Sequence, residues 1–131
     1  MADYTVLNLK EDVEDKAPAF GHAPGLEARF ARQALGLESS GISYFRVAPG
    51  FRVPFGHRHT EQEEIYLVAS GAARVKLDDD VVDLKAWDAV RIPVGTMRGL
   101  EGGSDGAEVL AFGAPNMENQ DIEMEQDWWT G

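Results

Sequence analysis

Gly56-His57-Arg58-His59-Thr60-Glu61-Gln62-Glu63-Glu64-Ile65-Tyr66-Leu67-Val68-Ala69-Ser70-Gly71 carries two of the chain's three histidines and a carboxylate at sheet spacing. His57 and His59 lie two positions apart, so on a strand both imidazoles leave the same face. Glu64 opens a second run, Glu64 to Val68, rich in β-branched, aromatic and aliphatic residues and closed by Ser70-Gly71. If the polar residues 60–63 form a tight connection, Glu64 returns beside the histidines. Two imidazoles and one carboxylate suit a borderline divalent metal such as iron, zinc, nickel, copper or manganese. His57, His59 and Glu64 are therefore the candidate metal ligands.

Short strands flank this stretch on both sides. Tyr4 to Leu9 reads as a strand, Glu11 to Pro18 as an acidic loop and Gly21-His22-Ala23-Pro24-Gly25 as a turn. Leu26 to Leu35 fits either a helical stripe or an alternating strand, and the strand is preferred because strands follow. Ile42 to Ala48 turns at Pro49-Gly50, and Val53 to His59, Glu64 to Val68 and Ala72 to Leu77 come next. Asp78-Asp79-Asp80 makes a hairpin into Val81 to Leu84. Ala89 to Ile92 ends at Pro93, and Glu108 to Phe112 is the last clear strand. Many short strands with Gly/Pro turns predict an all-β barrel or sandwich.

At 131 residues the chain is most simply one domain, residues 1–131, with a barrel core over about 26–113 and both ends packing on it. The net charge of −11, from 12 basic and 23 acidic residues, argues against nucleic acid and anionic membrane as partners. No apolar run approaches a membrane span, and Met1-Ala2-Asp3-Tyr4 lacks the features of a secretory signal. The absence of cysteine excludes disulfides and thiolate ligands, and the cytoplasm is the expected compartment. The acid concentrates at Glu11 to Asp15, Asp78 to Asp80 and Glu118 to Glu125, read as solvated loops and termini. Arg46, Arg52, Arg58, Arg91 and Arg98 instead cluster mid-chain, where most are expected to pair with surface carboxylates. A locally positive pocket among them would take a small anion. No Gly-rich phosphate loop or Gly-x-Ser-x-Gly elbow is present.

These features resemble a small single-domain cupin of the cupin 2 type, a double-stranded β-helix or jelly-roll barrel. His57, His59, Glu64 and Gly71 fit the first cupin motif, whose spacing selects Glu64 over Glu63 as the inward carboxylate. Trp87-Asp88-Ala89-Val90-Arg91-Ile92-Pro93-Val94-Gly95-Thr96-Met97-Arg98 resembles the second motif through Pro93-x-Gly95. Gly50 falls one residue early for the leading glycine, Trp87 stands where a glycine is usual, and Gly102 where an asparagine is common. Arg98 occupies the position that normally supplies the last histidine ligand. A guanidinium stays protonated and offers no lone pair, so at most three protein ligands remain.

Two outcomes follow. In one, His57, His59 and Glu64 hold a divalent metal and Arg98 clamps the carboxylate of a small anionic ligand. In the other, Arg98 pairs with Glu64 and the barrel is a metal-free binding module. The resemblance leaves dioxygenase, isomerase and decarboxylase chemistry open. Acid/base catalysis by His57 or His59 with Tyr66 is a third course. Tyr66 shares the inward face of Glu64 and is a candidate ligand contact, and Val68 is lining. Phe45, Phe51, Phe55 and Phe112 read as packing, His22 as a surface residue and Asp88 as a structural turn residue. Trp87 reads as a plug at the base or side of the barrel. Trp128-Trp129 are too apolar for a free tail and are expected on the barrel or on a second subunit, since small cupins are commonly homodimers.

Overall fold

A computed structural model describes residues 2–129. After a 3-10 turn at Pro18–Phe20 come β1 (Leu26–Phe30), α1 (Arg32–Leu35), β2 (Gly41–Val47), β3 (Phe55–His59) and β4 (Glu63–Leu77). The chain continues through β5 (Asp80–Lys85), β6 (Ala89–Ile92), β7 (Arg98–Ala114) and β8 (Ile122–Gln126). The strands form one curled antiparallel sheet in the order β1-β2-β7-β3-β8, with β4 pairing β5, β6 and β7. This is the expected all-β jelly-roll barrel. Its core is lined by Val47, Val68, Val75, Val109 and Ile92, all fully buried. Each contributes roughly 1.5–3 kcal/mol relative to exposure.

The two long strands explain how the site faces inward. On β4, Glu64, Tyr66 and Val68 point into the barrel, whereas beyond Gly71 the buried positions are Ala73 and Val75. Parity shifts because the β4–β7 register breaks between Val68 and Ser70 and again between Gly71 and Ala73. Gly71 has φ +71°, and a Cβ there would lie 2.1 Å from the Gly106 carbonyl oxygen, so the irregularity requires glycine. Gly102, where an asparagine is common, has a similar reason. A Cβ at that position would sit 2.3 Å from the Ala48 carbonyl oxygen.

Several sequence expectations are corrected. Tyr4 to Leu9 pairs with no strand, and Tyr4 and Val6 stand exposed. Its residues lack the ladder partner that β-propensity alone does not guarantee. Leu26 to Leu35 is divided between β1 and the single turn of α1, which ends at Gly36 with φ +71°. Glu64 to Val68 and Ala72 to Leu77 form one strand, because Gly71 bends the ladder without ending it. Glu108 to Phe112 belongs to a strand that starts ten residues earlier at Arg98, and it is not the last strand. Glu118 to Glu125 is not a wholly solvated terminus: Asp121 is buried, and β8 pairs with β3 from Phe55↔Gln126 to His59↔Ile122. Trp87 plugs nothing, being 76% exposed on a turn with φ +73°. Trp128, by contrast, packs on the barrel as expected, against Gly56 and Gly99, where a Cβ would lie 2.6 and 2.8 Å from its ring.

Candidate metal and ligand site

His57 and His59 leave β3 on one face, with ring centroids 5.3 Å apart and planes at 81°. The polar turn after β3 is tight, so Glu64 at the start of β4 comes back beside them. The nitrogen and carboxylate donors of His57, His59 and Glu64 all lie within 4.8 Å of one another. His59 Nε2 is 3.8 Å from Glu64 Oε2. The sequence pattern thus brought together the three residues that it singled out.

Arg98, at the start of β7, pairs directly across from His57 and is fully buried. Its Nη1 donates to Glu64 Oε1 at 3.2 Å, while Nε and Nη2 make no hydrogen bond among the described residues. Burial and the Arg98 charge push the His57 imidazole down to about 3, so it is neutral near pH 7. Burial raises the Glu64 carboxyl above its ordinary range, although Arg98 and His59 oppose that shift. Tyr66 is buried on the same inward face. Burial, and then the Glu64 charge, raise its phenol further.

A residue missed by the sequence reading completes the constellation. Asp121 Oδ1 lies 3.0 Å from His59 Nδ1. Its Oδ2 accepts the backbone N–H groups of Gln62 (2.9 Å) and Glu61 (3.2 Å), and its carbonyl oxygen accepts the Thr60 N–H at 2.9 Å. Burial alone would raise the Asp121 carboxyl, but the bonds from His59, Gln62 and Glu61 hold it below the usual range. Because a carboxylate only accepts, His59 Nδ1 carries a proton, and Nε2 is the ring nitrogen left facing Glu64. A carboxylate behind a histidine in this way fixes the ring and strengthens its other nitrogen as a donor. The sequence signal was faint: Ile122-Glu123-Met124-Glu125 alternates, which marks a strand next to Asp121.

The remaining candidates fall elsewhere. Arg46, Arg52, Arg58 and Arg91 pair with Glu27 (3.1 Å), Glu101 (2.6 Å), Glu123 (2.7 Å) and Glu63 (3.7 Å), as ordinary surface pairing predicts. His22 is half-buried against Phe55, with rings 5.2 Å apart, so it is a packing residue and not a free surface one. Asp88 accepts the Lys85 N–H at 2.9 Å and holds the turn before β6. Phe45, Phe51 and Phe55 pack against the core.

The comparisons with known proteins agree with the fold. The family model for the cupin domain matches residues 43–112, which include both motifs. The chain belongs to the cupin domain family. No curated protein matches the sequence significantly. Among solved structures, a cupin protein from Bacteroides fragilis is 23% identical with a TM-score of 0.71, covering 92% of this chain and 91% of its own. A single-site variant of Pac13 from Streptomyces, solved with uridine, is 21% identical with a TM-score of 0.70, covering 97% and 92%. Oxalate decarboxylase from Bacillus subtilis is 22% identical with a TM-score of 0.73. This cupin covers 32% of that longer chain, and the match spans 93% of its own. At these identities the likeness concerns the fold.

The donor set also fits a metal ion chemically. Bonds of about 2.0–2.2 Å place donors roughly 3 Å apart, so the present spacings need to contract by about one to two ångström. Two imidazoles and a carboxylate supply the donor atoms, and Glu64 Oε2 is the oxygen not engaged by Arg98.

Proposed function

We propose that this cupin holds a divalent metal on His57, His59 and Glu64 and binds a small anionic organic molecule beside it. The observation that carries the reading is the Asp121–His59 bond, which turns His59 Nε2 towards Glu64 and the shared donor cluster while burial keeps His57 neutral. Such a metal would supply Lewis-acid polarisation of a ligand oxygen and open coordination positions. The chain's own residues do the rest. Arg98 turns a cation towards the ligand, and Tyr66 lines the inward face where it orients that ligand. Iron, manganese, nickel, zinc and copper all suit the donors. Arg98 weakens metal binding by an amount on the order of several kcal/mol, because it brings a positive charge near the ion. Cytoplasmic residence and a homodimer belong to the same reading; fractionation and light scattering test them.

A second reading rests on one observation, the buried Arg98–Glu64 pair at 3.2 Å. There the barrel works without metal as a small-molecule binding module. Elemental analysis of untagged protein, purified without chelators, separates the two. The metal reading expects a bound ion approaching one per chain after incubation with iron, manganese, nickel or zinc. Less than about a tenth of an ion per chain would sink it.

A further inference from the structure

His57 on β3 and Arg98 on β7 form the single ladder pair between these two strands. The antiparallel register sets Gly56 opposite Gly99, and strand alternation turns both to the outer face of the barrel wall. Neither glycine brings a side chain to that face. The Trp128 ring occupies the space instead, for a Cβ on Gly56 or Gly99 would lie 2.6 or 2.8 Å from it. One indole therefore touches the backbone of both strands, directly behind the His57–Arg98 pair.

Next in the same row is Lys76 of β4, which pairs with Gly99. Its ammonium stands 4.2 Å from the centre of the Trp128 ring and donates to the Trp128 carbonyl oxygen at 2.6 Å. The Trp128 N–H reaches the Pro54 carbonyl oxygen at 3.3 Å. Trp128 follows β8, which pairs with the other edge of β3. The tail thus holds β3 by its edge, crosses its outer face and is fastened on β4. Its indole Nε1–H is buried without a hydrogen bond among the described residues, so the ring serves here through its surface and not through its polar edge. Backbone bonds tie the two chain segments further along, from Val53 N–H to the Leu100 carbonyl oxygen (2.9 Å) and from Gly95 N–H to that of His59 (2.8 Å). Between those ties the seam is one ladder pair on the row of the site, with one ring behind it.

We propose that Trp128 is a positioning residue: from outside the barrel it pins β3 to β7 and so holds the His57 imidazole in the donor cluster with His59 and Glu64. Those donors lie within 4.8 Å of one another, and a seam loosened by about an ångström carries His57 out of reach of a shared ion. The consequence for metal rests on the metal reading above, whereas the pinning itself does not.

Amide hydrogen exchange of the metal-free protein tests the pinning. Trp128→Leu keeps an apolar side chain on the tail, but one too small to touch both strands. The resulting acceleration at residues 56–58 and 97–99 should exceed that at residues 107–111, on the far half of β7, by at least about tenfold. Calorimetric titration with manganese reads the consequence. Affinity should fall at least about tenfold in Trp128→Leu and stay within about threefold of wild type in Trp128→Phe, which keeps a ring over both glycines. It should also stay within about threefold in Leu84→Ala, a cavity under β5 that lowers the melting temperature. Equal acceleration in both parts of β7, or a loss in Leu84→Ala as large as in Trp128→Leu, overturns the inference, because the tail then serves overall stability alone. Should Trp128→Leu fail to fold, Lys76→Met decides, since it unfastens the tail and leaves the ring. The same amides should then lead by at least about threefold, and equal rates overturn the inference. If wild-type protein binds manganese and Trp128→Leu matches it within about threefold, this inference falls and the metal reading stands. If wild-type protein takes no manganese, the metal reading falls, and the exchange pattern still decides the role of Trp128.

Discussion

Replacing Asp121 by asparagine changes one atom, yet its consequence for His59 follows from hydrogen-bond direction. In the native site one carboxylate oxygen faces the His59 Nδ1–H at 3.0 Å, and the other accepts two backbone N–H groups. A carboxamide has a single accepting oxygen, whereas its nitrogen only donates. If the oxygen stays with the two backbone donors, the amide nitrogen faces His59 Nδ1. That nitrogen must then accept, so the ring proton sits on Nε2, which in that form cannot bind a metal. If the side chain flips, the amide nitrogen meets the Gln62 and Glu61 N–H groups, and the buried Gln62 amide goes unpaired. The first orientation keeps two bonds for one and is expected to win.

Metal affinity of the Asp121→Asn variant should therefore fall by about 10- to 100-fold, the usual penalty for losing such a support behind a ligand histidine. Folding stability should fall by only about 1–3 kcal/mol, since the turn over residues 60–62 keeps its anchor. Asp121→Ala removes all three bonds. It should cost about 2–5 kcal/mol, softened because the exposed Glu61 amide can be rehydrated. Titration with manganese or zinc gives the affinities. Nitrogen NMR of the His59 ring reports which nitrogen carries the proton, independently of any metal. Binding within about threefold of wild type, together with an unchanged His59 tautomer, would refute the reasoning.

Three further perturbations probe other parts of the structure. Arg98→His replaces a repelling cation with a donor opposite His57 and should raise metal affinity at least about tenfold by calorimetry. Unchanged affinity would mean that position 98 does not face the ion. Glu108 is pulled down to about 2 by its bonds from Lys10, Tyr44 and Ser70. The stability it contributes is whole above its ordinary range near 4.5 and is lost as pH falls towards 2. Thermal melts of Glu108→Gln should thus lie below wild type at pH 7 and converge with it near pH 2, and parallel curves would exclude this role. Trp87 sits exposed at φ +73°, a conformation costing a side chain roughly 1–2 kcal/mol. Trp87→Gly gains this back, less about 0.5–1 kcal/mol of added chain entropy, so its melting temperature should match or exceed wild type. A marked fall would show that the indole makes a contact worth more than the strain.

The parts of the site that were legible in the sequence are those set by local geometry. Two-residue parity placed His57 beside His59, and Tyr66 and Val68 on the face of Glu64. Motif spacing put Arg98 at the missing ligand. Trp87 was misplaced because hydrophobicity says that a ring gains from burial, not that the turn beneath it points inward. Asp121 was hidden for another reason. Its contact with His59 spans 62 residues, and no periodicity encodes a bond between elements that far apart. Its acidic surroundings looked like solvated tail, a sound reading of composition that ignores what the histidine requires. A ligand imidazole has two nitrogens, and the one turned from the metal must donate to an acceptor if the ring is buried. His59 is 3% exposed, so such a partner was obligatory. The chain offers many carboxylates, but few next to an alternating run able to pair with β3. Ile122 to Gln126 is such a run, and the acid at its head is Asp121. The same strand sets Glu123 against Arg58 at 2.7 Å, so one acidic segment covers the outer edge of β3 and orients a histidine on its inner face. The need for an acceptor behind each ligand histidine is thus a sequence-level question, and asking it narrows a long-range contact to a few residues.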